Sequence, residues 1–222
     1  MVKSFKDWTQ TELKEVFGLV NKNGDCDELK NWLDTGELLM NKSQLTDFEQ
    51  HSFNFIRNRL SINADIWNEE ELKMYFIARL LDIVDFESEQ YKLFFERKLS
   101  TVKNGIKLNG NVDAMIATGN FDVPRAPYFC LHEYKPEKSG RDTDPRGQLL
   151  SEMLAAQTIN GNQNIIYGCY MLGRFWFFAT LIGNDFCFSG GYVADDKEDL
   201  LRIIFILRQL KLYLDKATLV KK

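Results

Sequence analysis

Apolar side chains recur every three or four positions through the opening stretch of the chain, the spacing of helices that each bury one face. Over residues 5–20 that face comprises Trp8, Leu13, Val16, Phe17 and Val20, with Thr9 or Thr11 placed as the cap. Turn-forming residues at 21–25 lead into a second helix, 27–40, carrying Leu29, Trp32, Leu33 and Leu38. A third, 43–60, carries Leu45, Phe48, Phe53, Ile56 and Leu60. These helices predict an N-terminal helical region, residues 1–62, packed on a domain formed by 63–222. They hold no reactive cluster and equally suit a surface for a protein partner.

From Asn68 a helical period runs to Val84, with Leu72, Phe76 and Leu80 on one side and Ile77 and Leu81 widening it. Asn68 is placed to cap this helix, with Glu71 at its third position facing the N–H groups of the first turn. After Asp85 the pattern becomes strand-like over 91–102, and Asn104-Gly105 signals a hairpin into a second strand, 106–117. Pro124 and Pro127 predict a connection over 118–127, with a third strand at 128–134. A charged loop, 136–147, ends where Asp144 and Pro145 are suited to start a helix over 146–160. Strands follow at 165–172, 175–181 and 186–189, and a last helix at 197–215. Because the opening strands form a hairpin, the order predicts an α/β fold with a mixed sheet covered by helices rather than an all-parallel one.

Composition narrows the function classes. A chain of 222 residues that is 45% hydrophobic and 13% aromatic can bury a substantial core. A formal charge of −4 excludes a uniformly positive coat while permitting a local basic channel. The polar start and the lack of any run of about 18 apolar residues predict a soluble cytoplasmic protein. Cys26, Cys130, Cys169 and Cys187 are widely spaced, three of them in strand-like runs, and are expected as buried thiols rather than disulfides or zinc ligands. No phosphate-binding P-loop or dinucleotide glycine pattern occurs. The chain has only His51 and His132, so no nucleophile shows an ordered histidine and acid beside it.

The polar residues that look built for chemistry lie between Ile106 and Gln157. Asp113 falls in the second strand. By alternation Glu133 and Lys135 share one face of the third, while His132 and Tyr134 point the other way. Two carboxylates on neighbouring strands supply the oxygen ligands that Mg²⁺ takes, with Mn²⁺ as a substitute. Lys135 beside them could orient water or offset charge developing on a phosphate. Lys138, Arg141 and Arg146 in and after the charged loop are candidate phosphate contacts, and Lys98, Lys103 and Lys107 decorate the hairpin.

Asn111-Val112-Asp113, then Glu133-Tyr134-Lys135, set in the order helix, three strands, helix and strand, resembles the PD-(D/E)XK nuclease superfamily, whose core is the restriction-endonuclease-like fold. That resemblance covers residues 65–214. It implies that Asp113 and Glu133 are Mg²⁺ ligands and Lys135 the catalytic lysine. It also implies that Gln148 is the glutamine many members place near the active site, and that Glu69 is a further ligand, an assignment for which Glu70 and Glu71 compete. Glu152 stands where one branch of the superfamily has a tyrosine, and Val112 where a proline usually precedes the first acid. Trp67-Asn68-Glu69, the run from His132 to Pro136 and the helix from Gln148 to Gln157 also make the whole chain resemble a family of uncharacterised Bacteroidetes proteins.

The expected activity is hydrolysis of phosphodiester bonds by metal-activated water, with DNA ahead of RNA as substrate. The alternative is a non-catalytic nucleic-acid or protein-binding module on the same fold. A purely structural reading of the same residues has Asp113 bind backbone groups beside a turn and Glu133 and Lys135 form a same-face salt bridge at an exposed strand end.

Overall fold

The computed structural model describes residues 2–23, 25–138, 144–161 and 164–219. The predicted first helix is shorter than its apolar pattern. Strand β1 (Val2–Ser4) and a 3-10 turn (Phe5–Asp7) precede α1 (Gln10–Phe17). Thr9 and Glu12 cap α1 reciprocally, and Gly18, in the left-handed conformation at φ 68°, stops it. A two-residue strand, β2 (Val20–Asn21), follows, then α2 (Asp27–Lys42) and α3 (Asp47–Asn63). The helix predicted from Asn68 forms as α4 (Glu69–Leu72), a π turn (Lys73–Ile77) and α5 (Ala78–Val84).

Strands β3 (Lys92–Lys103), β4 (Ile106–Asn120) and β5 (Val123–Lys135) form an antiparallel meander. The predicted connection over 118–127 is instead the far end of the β4–β5 hairpin. The reason is positional: β6 (Ile166–Leu172) begins pairing with β5 only at Cys130, so the outer part of β5 is an edge. Register shifts around Ala117 accommodate the prolines there, and Pro124 pairs with Gly119. After β5, α6 (Pro145–Asn160) crosses to β6, which runs parallel to β5. Strands β7 (Phe175–Ile182), β8 (Asp185–Phe188) and β9 (Tyr192–Val193) and helix α7 (Lys197–Leu219) complete the described chain.

The result is a mixed α/β fold with a central sheet flanked by helices. Its order is β1-β4-β5-β6-β7-β8-β2, with β3 also on β4 and β9 on β7. One face packs against α1 and α6 through Leu13, Met115, Leu131, Leu149 and Met153. The other packs against α2 to α5 and α7 through Trp32, Phe53, Phe76, Trp176 and Ile204. No helix among the described residues is long and apolar enough to cross a membrane.

The expectation of four unpaired thiols is corrected. Cys130 and Cys169 are free and buried, but Cys26 and Cys187 form a disulfide across 161 positions of sequence. Parallel pairing of β2 with β8 sets Asn21 beside Phe186, which brings the start of α2 over Cys187. No local spacing announces such a pair, because the sheet makes it.

Candidate functional site

Three carboxylates lie in a row across the meander. Phe95 pairs with Ala114 and Arg97 with Val112, which puts Glu96 opposite Asp113. Ala114 pairs with His132, and the next step of that antiparallel register brings Asp113 opposite Glu133. Here the β4–β5 backbone ladder stops: the Tyr134 N–H donates to Asp113 Oδ2 at 2.8 Å instead of to a carbonyl. Like charges directly opposite one another destabilise a sheet. The site answers this with two lysines and a glutamine.

Lys73 Nζ donates to Glu69 Oε1, Glu96 Oε1 and Asp113 Oδ1, each at 2.8 Å. Lys135 Nζ lies 2.5 Å from Glu133 Oε1 and 3.6 Å from Glu69 Oε2, so Glu69 bridges the two ammonium groups. On the far side Gln148 Nε2 donates to Glu133 Oε2 at 2.7 Å and to Glu152 Oε1 at 3.2 Å. Side-chain exposure rises outward, from 0% at Glu133 through 11% at Asp113 and 36% at Glu69 to 53% at Glu96. The row therefore runs from the core to solvent.

Local sequence places these groups. The Asn68–Glu71 capping box starts α4, which commits Glu71 to the backbone and leaves Glu69, one position into the helix, for the lysines. Glu70 takes part in none of the site's ion pairs among the described residues. The π turn adds a residue where Lys73 leaves the helix, while Leu72, Phe76, Ile77 and Leu80 stay buried. Asp144 accepts from Gly147 N and Pro145 sits just inside, so α6 starts at a depth that carries Gln148 and Glu152, one turn apart, to Glu133.

Burial dominates the electrostatics. It pushes Glu133 up to about 8, reinforced by Asp113 and opposed by Lys135. Burial, then the neighbouring Glu133, holds Glu152 well above the ordinary glutamate range. Asp113 is raised by burial against the pull of Lys73. Burial would lower both lysines, but their carboxylates hold each above the usual value. Five carboxyl groups, of Glu69, Glu96, Asp113, Glu133 and Glu152, face two ammonium groups, and that surplus adds to burial in raising Glu133 and Glu152.

As alternation predicts, His132 turns away from Glu133 toward Trp176, and its Nδ1 bonds the Tyr134 hydroxyl at 2.6 Å. Burial lowers its pKa to about 3. Of the candidate phosphate contacts, Lys138 is exposed just beyond β5 and Arg141 lies outside the described residues. Arg146 is exposed in the first turn of α6 but its head group is engaged: its Nε donates to the Tyr170 hydroxyl at 2.6 Å, and its guanidinium lies over the rings of Tyr170, Phe177 and Phe188.

Lys73 and Glu96 are the site residues that sequence reasoning missed. The only signal was the four-residue spacing of Glu69 and Lys73, an ordinary surface pairing on helices. Glu96 carried none, since its placement depends on strand register and on a left-handed backbone at φ 50°. No protein-family model matches the chain, and no curated protein does.

Among the described residues no three histidine, cysteine or acidic side chains form a ready-made metal cage. Mg²⁺ does not require one, because it commonly binds one or two carboxylates and completes its octahedron with water and phosphate. Asp113 and Glu133 fit that role: both present only oxygen, and Glu133 Oε1 is buried with no aligned hydrogen-bond donor beyond the Lys135 ion pair. Glu69, the third expected ligand, gives one oxygen to each lysine.

Proposed function

We propose that the chain is a divalent-cation-dependent nuclease hydrolysing phosphodiester bonds, with DNA ahead of RNA as substrate, built on a restriction-endonuclease-like core. The observation that carries this reading is Asp113 opposite Glu133 on neighbouring strands, with Lys135 on Glu133. The order of α4–α5, the β3–β4–β5 meander, α6 and a parallel β6 supports the choice of core.

Asp113 and Glu133 would hold Mg²⁺, or Mn²⁺ in its place. Bound there, the ion would supply Lewis acidity toward a water and a phosphate oxygen. Gln148 fixes Glu133 by holding Oε2, leaving Oε1 toward the lysine side. Lys135 is positioned to orient the attacking water and to offset the charge that develops on the phosphate. Lys138, exposed beyond the end of the same strand, is suited to the nucleic-acid backbone.

Purified protein incubated with Mg²⁺ or Mn²⁺ and double-stranded DNA, single-stranded DNA and RNA tests this. Lys135→Ala and Asp113→Asn are expected to lose cleavage by about 10²–10⁴-fold while retaining their circular dichroism. Cleavage that persists in Lys135→Ala counts against the site. The Lys73 contact on Asp113 favours a second reading, a non-catalytic nucleic-acid or protein-binding module. Metal-independent binding with no cleavage of any substrate would select it.

A further inference from the structure

Of the two ammonium groups that face the site's carboxylates, Lys73 is the one the proposed reaction leaves without a task. An ammonium has three N–H donors, and each of these ends on a different carboxylate at 2.8 Å. Asp113 Oδ2 already accepts from the Tyr134 backbone, so with Lys73 on Oδ1 both oxygens of this carboxylate are engaged. A cation approaching the same oxygen meets a positive charge in a half-buried setting, where screening is weak.

The surroundings give that ammonium a way out. Glu96 and Glu69 are its partners on the solvent side, while Asp113 is its innermost one. Glu96 sits at a left-handed backbone position within a strand, a conformation a non-glycine residue rarely takes, and its carboxylate meets Lys73 there. Lys73 itself opens the π turn, whose long bond joins the Ala78 N–H to the Lys73 carbonyl, a helix geometry that recurs at functional sites.

We infer that Lys73 is a built-in counter-cation: its ammonium occupies Asp113 in the metal-free protein and withdraws toward Glu96 and solvent when a divalent ion loads, so that this exchange sets the metal affinity. The inference rests on the metal-dependent reading of the site. It makes Lys73 a positioning residue whose removal strengthens ion binding. A fixed salt bridge would also repel the ion, but only an ammonium that moves makes the effect of Glu96 on ion binding depend on Lys73.

Calorimetric titration of the full chain with Mn²⁺, in wild type, Lys73→Met, Glu96→Gln and the double variant, tests it. Lys73→Met is expected to bind about tenfold more tightly. Glu96→Gln, which weakens the withdrawn position, is expected to bind several-fold less tightly, and that loss should vanish in the double variant, where no ammonium has to move. Equal or weaker binding by Lys73→Met overturns the inference but leaves the metal reading standing. So does a Glu96→Gln loss that persists without Lys73, which would make Glu96 a direct ligand. Absence of Mn²⁺ binding in all four proteins overturns both readings. Should Lys73→Met fail to fold, Lys73→Gln takes its place in both the single and the double variant, and unchanged affinity in Glu96→Gln by itself overturns the withdrawal step.

Discussion

At Glu133 and Glu152 the protein keeps two buried carboxyl groups, so their stability contributions depend on pH with a definite sign. A glutamate whose folded value is raised to about 8 favours the protonated fold, and its contribution is complete below about 4.5 and lost as pH climbs toward and past 8. Glu152 acts in the same direction. His132, lowered to about 3, acts oppositely: its contribution is complete above about 6.5 and is lost as pH falls toward 3. Between those ordinary values the histidine offsets one glutamate, and above 6.5 the glutamates act unopposed. The thermal midpoint of metal-free protein is therefore expected to fall as pH rises from about 6.5 to 8 and to fall again in acid. Glu152→Gln, neutral and of the same shape, should flatten the alkaline slope and leave the acid one. A variant slope as steep as wild type would sink this account. Alternation alone assigned Glu133 and Lys135 to one strand face and His132 to the other. The protonation of these groups was not legible, because it depends on what α6 and β6 bury.

Among the elements, α2 and α7 approach closely at Gly36. A Cβ built there would lie 2.7 Å from the Ile206 Cα and Cγ1, and four residues earlier Trp32 Nε1 donates to the Ile206 carbonyl at 2.8 Å. Gly36→Ala would gain up to about 1 kcal/mol of helix propensity, but overpacking against backbone costs about 1–3 kcal/mol, so net destabilisation is expected. Urea denaturation of the variant measures it, and equal or greater stability contradicts the close approach. Elements with their own caps were legible: Asn68 with Glu71, and Asp144 with Pro145, start helices where the sequence predicts. Pro124 and Pro127 misled because a proline's tolerance in a sheet depends on whether its N–H side has a neighbour. That neighbour, β6, arrives only at Cys130.

For the whole molecule, the Cys26–Cys187 link ties the start of α2 to β8, and closing so long a loop contributes about 2–5 kcal/mol. Thiol titration in denaturant should find two free groups, Cys130 and Cys169, before reduction and four after it. The reduced protein should melt at lower temperature, and four reactive thiols without reductant would rule the pairing out. By itself the sequence determined the helices, most strands, the mixed α/β class and the alternation that puts Glu133 beside Lys135, since these follow from contacts within a turn or a strand. Only tertiary structure decided that Glu96 and Asp113 stand in line with Glu133, that Lys73 closes on Asp113, and that Cys26 meets Cys187. Those meetings depend on register between strands and on where distant helices dock, and residues far apart in the chain carry no local pattern that fixes either.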